Sequence, residues 1–274
     1  MPVCWLTPDF QPVDEAPSGL QFGDGLFETL LYEDGRLRLW PLHWSRLLRG
    51  MATLGLSPPP SENALLAHLG QKLRDTRVAI IKLMVVRHSG QRGYACGTDW
   101  RLSIQVHPHR PDPPRDVSVC TLDQTLSGHG LGGIKHMNRL EQILAARELA
   151  GRAWEGWLRT PQGEVVEGIR TNLLLIDREG RWFLPDCSRW GVNGTMRALV
   201  SDCLSGRNQS VYNSPVPADV LAGTCSAAVM NSIYGVLPVT ELDGSPLQTE
   251  LLASLITEIN ARIQKVSITL KLKP

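Results

Sequence analysis

The stretch Gly132-Gly133-Ile134-Lys135-His136-Met137-Asn138-Arg139-Leu140-Glu141-Gln142 sets one lysine between a glycine-rich approach and the first turn of a predicted helix. Lysine is scarce in this chain, which contains six lysines and twenty-two arginines. An amine whose pKa is lowered by burial or by neighbouring charge is a nucleophile that forms a Schiff base with a carbonyl group, and arginine cannot do this. Lys135 is therefore a candidate catalytic residue. The simpler alternative is a lysine at the start of a helix with no chemical role.

The composition is that of an ordinary globular protein and argues against several classes of function. With 274 residues, 42% of them hydrophobic, the chain is long enough for one large domain or two modest ones. The formal net charge of +1 gives no support for a nucleic-acid partner or for binding to an anionic membrane surface. No apolar run approaches the roughly 20 residues that span a bilayer, so we expect a cytoplasmic protein.

The six cysteines are scattered along the chain without a CxxC pair. This spacing indicates neither a zinc site nor a redox couple, and we expect no bound metal. Free thiols in a reducing compartment are the simplest interpretation. The cysteines are Cys4, Cys96, Cys120, Cys187, Cys203 and Cys225.

The first part of the chain has the pattern of an α/β domain. The segment Gly19–Thr29 leads into a strand that extends to about Tyr32, and a hairpin turn follows at Asp34-Gly35. Pro41 is tolerated in a first helical turn and opens one helix, and Ser61 is the expected cap of a second. The nearly continuous apolar run Val78–Val86 predicts a central strand.

The segment Pro108–Pro114 contains four prolines and is hostile to both helix and sheet, which predicts a linker. We therefore expect an N-terminal domain of residues 1–109 and a C-terminal domain of residues 110–274. The second domain would carry the lysine loop.

Helix and strand patterns alternate in the second half of the chain. One helix is expected from about Met137 to Leu149 and a last one from about Leu247 to Ile263, with short strands between them. The tail of residues 265–274 has strand-like composition, and the sequence shows no partner for it.

Two other motifs compete with the Lys135 interpretation. Lys82 lies within the central strand, where Ile80, Lys82 and Met84 share one face, so a strand face that reaches solvent explains it best. The run Gly128–Gly133 matches GxGxxG between a strand and a helix, which is the pattern of a dinucleotide-binding loop. Its first glycine does not follow the strand directly, however, and Glu155 lies at the start of the next strand instead of its end, so we set this interpretation aside.

Four stretches together resemble the fold-type IV pyridoxal phosphate (PLP)-dependent enzymes, the group that includes D-amino acid and branched-chain aminotransferases and a lyase branch. They are Gly23–Thr29, His43–Leu47, the lysine loop, and Glu167–Asn172 followed by Gly191–Arg197. The resemblance covers nearly the whole chain. It implies an α/β (α+β) two-domain fold with a smaller N-terminal α/β domain and a larger C-terminal pseudo-barrel domain, assembled as a homodimer.

The resemblance also implies roles for single residues. Lys135 would anchor PLP, Glu167 would pair with the pyridinium nitrogen, and Arg46 would contact the phosphate. The N–H groups and hydroxyl of Gly194-Thr195-Met196, at a helix N-terminus, together with Ser232, would complete the phosphate site. Each residue has an ordinary structural alternative when it is taken singly.

Within this family, the sequence GIKHMNRLEQ is most similar to the lyase branch, which converts 4-amino-4-deoxychorismate into 4-aminobenzoate and pyruvate in folate synthesis. Arg92 and Tyr94, in a loop that also resembles this branch, are candidate substrate contacts. The alternatives are an aminotransferase on the same scaffold and, third, a PLP-free binding protein of this fold. At Pro17-Ser18 the chain departs from the Asp-Arg that many relatives have before the Gly23–Thr29 stretch.

Overall fold

The structure of the protein is a computed structural model that describes residues 4–59, 61–89, 94, 97–109, 111–128 and 130–270. Among the helices in these ranges, none combines the length and the apolar character needed to cross a membrane.

The described residues form two compact units. The first contains the described parts of Met1–Pro111, Ile134–Asn138 and Lys265–Pro274, and the second those of Asp112–Gly133 and Arg139–Gln264. Lys135 thus belongs by its contacts to the unit built mainly from the N-terminal residues. The domain boundary expected at residues 109 and 110 stays a prediction.

The elements up to residue 107 follow the expected order. Pro41 lies in the first turn of a helix, and the Ser61 side chain caps the next by accepting the N–H of Ala64 at 3.3 Å. These elements are β1 (Trp5–Leu6), β2 (Pro12–Val13), β3 (Gly25–Glu33), β4 (Arg36–Leu37), α1 (Trp40–Thr53), α2 (Glu62–Lys72), β5 (Val78–Arg87) and β6 (Trp100–His107).

The remaining elements contain more strand than helix. They are β7 (Ser118–Thr125), α3 (Leu140–Leu149), β8 (Glu155–Arg159), β9 (Val165–Gly168), β10 (Asn172–Asp177), β11 (Trp182–Phe183), α4 (Thr195–Gly206), β12 (Val211–Tyr212), α5 (Ala218–Ala222), β13 (Thr224–Asn231), β14 (Gly235–Pro238), β15 (Glu241–Leu242), β16 (Ser245–Pro246), α6 (Ala253–Val266) and β17 (Ile268–Thr269).

Two helices begin later than their sequence patterns predict. The first is α3, which starts at Leu140 and not at Met137, because the N–H of Met137 donates to the carbonyl of Gly25 in an extended pairing. The second is α6, which starts at Ala253 and not near Leu247. The N–H groups of Leu247 and Gln248 donate to the carbonyls of Thr240 and Cys225. In both cases long-range backbone bonds replace the first helical turn.

The C-terminal tail, for which the sequence shows no partner, pairs with a distant strand. Its described part forms β17, which pairs antiparallel with β4, so that Ile268 lies opposite Leu37. The sequence shows the strand composition of this segment, but a strand partner so far away in the chain leaves no local signal.

The first unit is built on a seven-stranded sheet in the order β17-β4-β3-β5-β6-β1-β2. Along β5, one face carries the buried residues Ala79, Ile81, Leu83 and Val85. On the other face Val78, Ile80, Lys82 and Met84 are only half-buried. This alternation is the one that the sequence predicts for a strand with two different faces. On the buried face Gly50 of α1 packs closely against Leu26 of β3.

The lysine segment, residues 134–138, covers the edge of β3 that β4 leaves open. Leu26 and His136 form an antiparallel bridge, and the N–H of Phe27 donates to the carbonyl of Lys135 at 2.9 Å. Because adjacent strand residues point to opposite faces, this register puts the side chain of Lys135 on the same face as Phe27.

The second unit contains two five-stranded sheets, ordered β12-β11-β10-β13-β14 and β16-β15-β7-β8-β9. They share one hydrophobic core, to which β7 and β8 contribute Val119 and Trp157 and β10 and β13 contribute Leu173 and Val229. A second cluster packs α3 against β7 and β8 through Ala145, with Leu122 and Leu158. This framework holds β9 and the start of α4, where several candidate residues lie.

Candidate active site

Lys135 lies over an aromatic ring in an otherwise irregular stretch. Its Nζ is 4.5 Å from the centroid of the Phe27 ring, and the residue is half-buried. Gly133, two residues earlier in the chain, has φ of 83°, a left-handed conformation that favours glycine. Gly133 is therefore a backbone requirement of the approach to the lysine.

A second lysine shares the same ring. Lys82 Nζ lies 5.4 Å from the Phe27 centroid, and Lys82 is directly opposite Thr29 in the pairing of β3 with β5. Phe27, Thr29, Lys82 and Lys135 therefore form one polar and aromatic surface, which we call the lysine face. Sequence reasoning treated Lys82 as an ordinary strand lysine and did not foresee that it contacts the ring beneath Lys135.

Arg46 is buried, and its guanidinium group is held by hydrogen bonds. Its Nε donates to Glu28 Oε1 at 2.8 Å and its Nη2 to Glu28 Oε2 at 2.5 Å. His43, one turn earlier on α1, has its Nδ1 at 2.6 Å from Glu28 Oε2. All three side chains are at most 5% exposed, so Glu28 holds both helix residues in fixed positions.

The electrostatics of this cluster favour an ionised Glu28 and a neutral His43. Burial by itself would raise the pKa of Glu28, but the charge of Arg46 and the hydrogen bonds from Arg46 and His43 lower it to about 2. For His43, burial outweighs the attraction of Glu28, and the charges of Arg46 and Lys135 act in the same direction, so its pKa lies below the usual value. Neutral His43 then donates its Nδ1–H to the carboxylate.

We expect Glu28→Gln to lower the free energy of unfolding by about 3 kcal/mol or more at pH 7, because it leaves the buried Arg46 charge without its carboxylate. The pKa of Glu28 is depressed, so its contribution is present above pH 4.5 and is lost as the pH falls towards 2. Urea unfolding at several pH values measures this. Glu33→Gln, at an exposed position of the same strand, is the control, and equal losses in both variants would contradict the role of Glu28.

Glu167 is a buried carboxylate at the end of β9, with 4% of its surface exposed. Its Oε2 accepts the N–H of Val192 at 2.9 Å. Gly191, just before Val192, has φ of 70°, and a Cβ built there would overlap the Glu167 carboxylate. The glycine is needed both for the backbone conformation and for the close approach of the carboxylate, so Glu167 is not an exposed charge at a strand end.

The N-terminus of α4 is shaped by Asn172. Its Nδ2 donates to the carbonyl of Val192 at 2.9 Å, and its Oδ1 lies so close to Gly194 that a Cβ there would collide with it. Gly194 is the N-cap of α4, followed by the buried Thr195 and Met196. The N-cap residue makes no side-chain cap hydrogen bond, and the first turn contains no acid, so the helix start presents the positive end of its dipole.

Ser232 lies in the turn between β13 and β14. Asn231 shapes this turn, because its Oδ1 accepts the N–H groups of Ile233 at 3.0 Å and Tyr234 at 2.8 Å. Ser232, Glu167 and the start of α4 belong to the second unit, whereas Lys135 and Arg46 belong to the first. The roles of these residues stay predictions.

The two candidate substrate contacts differ in what can be said of them. Arg92 lies outside the described residues. Tyr94 is 88% exposed, and its ring lies 5.1 Å from that of Phe22. Nothing in this geometry assigns Tyr94 to a substrate site, so both residues stay predictions.

The side chains present fit PLP chemically. The cofactor requires an amine for its aldehyde, a carboxylate for its ring nitrogen and donors for its phosphate. The chain supplies the half-buried Lys135 and the carboxylate of Glu167, which packs against Gly191 so closely that no side chain fits there. It also supplies the N-terminus of α4, whose N-cap is a glycine. Arg46, which the resemblance assigns to the phosphate, donates hydrogen bonds from two of its guanidinium nitrogens to Glu28.

Sequence reasoning missed Glu28 and Asn172 as parts of the site. Each carried a signal, since Glu28 occupies a buried position between Leu26 and Leu30 on an apolar strand face, and Asn172 opens the apolar strand β10. A polar residue at a core position needs a partner, and in both cases the partner is a group of the candidate site.

Comparison with known proteins identifies the family of the chain. The family model for amino-transferase class IV matches residues 25–242. The crystal structure of 4-amino-4-deoxychorismate lyase from Pseudomonas aeruginosa is 32% identical, with a TM-score of 0.81, and the match covers 94% of this chain and 98% of that one. This similarity confirms the expected fold-type IV class.

Two curated relatives show that both reaction types occur among similar proteins. Aminodeoxychorismate lyase of Vibrio harveyi is 29% identical over 241 residues, which cover 84% of this chain and 88% of the relative. A D-alanine aminotransferase of Staphylococcus aureus is 23% identical over 273 residues, 95% of this chain and 94% of the relative. The family-model match and the identity to the Pseudomonas structure together establish that the chain belongs to the class IV aminotransferase family, a family of PLP-dependent enzymes.

Proposed function

We propose that the protein is a PLP-dependent lyase that converts 4-amino-4-deoxychorismate into 4-aminobenzoate and pyruvate, a step of folate synthesis. The observation that carries the proposal is the second cation on the lysine face, where Lys82 and Lys135 share the ring of Phe27. The substrate bears two carboxylates, and an ammonium group beside the reacting lysine suits one of them. The similarity of the chain to two lyases adds support.

Lys135 has the central role in this proposal. Its amine would hold the cofactor and then remove the proton from the ring carbon that bears the substrate nitrogen. The Phe27 ring beneath it supplies a cation–π contact that orients the amine over the face shared with Thr29.

The other residues would bind and orient the cofactor. When bound, PLP supplies an electron sink for the electrons left by the departing proton. Glu167 would keep the ring nitrogen protonated, and the α4 N-terminus, Arg46 and Ser232 would hold the phosphate. Loss of enolpyruvate, which takes up a proton to become pyruvate, leaves an aromatic ring. The two products contain all the atoms of the substrate, so no co-reactant is needed.

An aminotransferase is the second candidate, and the similarity to D-alanine aminotransferase favours it. It would use the same lysine and the same proton abstraction but would require a keto acid to complete each cycle. A PLP-free binding protein is a third candidate, and it predicts a colourless protein that stays colourless after PLP is added.

The purified protein supplied with aminodeoxychorismate and no keto acid should release 4-aminobenzoate and pyruvate continuously and in equal amounts. The lyase reaction needs no second substrate, which is why turnover continues. Chromatography of 4-aminobenzoate and an enzymatic pyruvate assay measure both products. A single turnover that restarts only when a keto acid is added would show instead that the protein is an aminotransferase.

The homodimer that the resemblance implies and the cytoplasmic location expected from the sequence stay predictions. Light scattering of the purified protein measures the first.

A further inference from the structure

Glu155 is a buried carboxylate of the second unit that the proposed function does not use. It opens β8 and has no exposed surface. Three donors converge on it: the N–H of Gly156 reaches Oε1 at 2.9 Å, whereas the hydroxyl of Thr171 and the N–H of Arg170 reach Oε2 at 2.9 and 3.2 Å. Two of these donors belong to a single turn.

That turn, residues 168–171, connects the strand that ends just after Glu167 with the strand that starts at Asn172. The N–H of Gly168 donates to the carbonyl of Thr171 at 2.7 Å and closes the turn. A Cβ on Gly168 would approach Glu155 Cδ to 2.9 Å, so the turn is packed directly against the carboxylate. Glu155 therefore fixes the backbone between Glu167 and Asn172, the two side chains that are hydrogen-bonded to the backbone of Val192.

The same turn also contacts the loop that carries Ser232. The Arg170 guanidinium stacks on the Trp154 ring at 4.4 Å, and the Arg170 carbonyl accepts a hydrogen bond from Asn231 Nδ2 at 3.5 Å. On the loop side, the Tyr234 ring meets the edge of the Trp154 ring at 5.7 Å. Through Arg170 and its neighbour Trp154, the Glu155 turn is thus connected to the residues on both sides of Ser232.

We propose that Glu155 is a positioning residue for the cofactor site, which fixes the turn 168–171 and thereby the directions of Glu167 and Asn172 and the position of the Ser232 loop. The inference rests on the proposed use of Glu167 and Ser232 in PLP binding.

Only a carboxylate satisfies the three donors of this site. An amide has one acceptor oxygen and one NH₂ group, so in a glutamine the NH₂ would face the N–H of either Gly156 or Arg170. Burial raises the pKa of Glu155, although the hydrogen bonds from Gly156 and Thr171 oppose this. A raised pKa means that the ionised form at neutral pH works against folding. A buried carboxyl whose pKa is perturbed in this way is typical of a functional site.

The test uses the full-length protein and two ways of weakening the same contact. Glu155→Gln alters the acceptor, and Thr171→Val removes one donor. Thr171→Ser keeps the hydroxyl and should preserve its hydrogen bond to Glu155. Asp177→Asn is the matched control, because Asp177 is a buried carboxylate at the other end of β10 that accepts the N–H groups of Glu179 and Arg181 at 3.0 and 2.9 Å. Asp177 holds a turn in the same way, but at the end of β10 that is opposite the turn 168–171.

Three measurements are made on each variant: amide hydrogen exchange of the apoprotein, titration of the apoprotein with PLP, and the pH dependence of the absorption band of bound PLP. Glu155→Gln and Thr171→Val should speed exchange at residues 168–172, weaken PLP binding by about tenfold, the size typical of removing an outer partner, and shift the pH midpoint of the band. Thr171→Ser should resemble the unsubstituted protein. Asp177→Asn should speed exchange only at residues 177–181.

Faster exchange at residues 168–172 with unchanged PLP affinity and unchanged pH midpoint would overturn the inference, because the turn would then be structural only. Unchanged exchange there would also overturn it. If the unsubstituted protein does not bind PLP, the proposed function itself fails and this inference fails with it. If it binds PLP but acts as an aminotransferase, only the choice of reaction is wrong.

Discussion

Lys135→Ala is expected to lower turnover by roughly 10²–10⁴-fold or more, because the variant loses both the amine that holds the cofactor and the base that moves the proton. The protein should still bind PLP through its phosphate contacts. After borohydride reduction and proteolysis, mass spectrometry should find the pyridoxyl label on Lys135 in the unsubstituted protein and no label in the variant.

Lys82→Ala is the matched control, since Lys82 lies over the same Phe27 ring at 5.4 Å. Loss of Lys82 should leave the label on Lys135 and act mainly on the Michaelis constant for the substrate. A pyridoxyl label on Lys82 in the unsubstituted protein would mean that the wrong lysine has been chosen.

Glu167→Gln is expected to have the second-largest effect. A charge-assisted hydrogen bond is worth about 1.5–3 kcal/mol, which corresponds to a rate loss of roughly ten- to hundredfold. The amide oxygen can still accept the N–H of Val192, so the loop should keep its shape and PLP should remain bound. Steady-state kinetics and the absorption spectrum measure the two effects separately.

Gly191→Ala should reproduce the loss of turnover by another route, because a Cβ at residue 191 would displace the Glu167 carboxylate. Glu164→Gln, on the same hairpin and only partly buried, is the control and should leave the rate unchanged. Full turnover in Glu167→Gln would remove Glu167 from the mechanism.

Local features of the fold were predictable from the sequence because their causes are local. The Asp34-Gly35 turn, the helix opened by Pro41 and the cap at Ser61 each depend on residues within a few positions. The pairing of residues 134–138 with β3 and of β17 with β4 was not predictable, because a strand edge selects its partner from the whole chain. The late start of α3 follows from the first of these pairings.

The candidate site divides in the same way. Lys135 was singled out by its glycine neighbours and by the scarcity of lysine, and the close fit of Glu167 against Gly191 agrees with the Gly191–Arg197 motif that the resemblance used. Only the folded structure shows that Glu28, Lys82 and Asn172 contact residues of the candidate site. Register puts Lys82 opposite Thr29, and helix packing brings Arg46 onto Glu28. A sequence shows which residues can do chemistry, but the contacts that hold them depend on pairing across the chain.

The pairing that carries Lys135 also has a consequence for protein synthesis. The strands β3, β5 and β6 can associate once residue 107 has left the ribosome, but the edge of β3 stays uncovered until residues 134–138 follow. Translation at about 5–20 residues per second makes this an interval of roughly 2–6 seconds. The edge of β4 stays uncovered for longer, until β17 is made. Uncovered strand edges pair readily with other chains. We therefore expect the nascent protein to aggregate most readily in these intervals. The first interval ends when the segment that carries Lys135 is made.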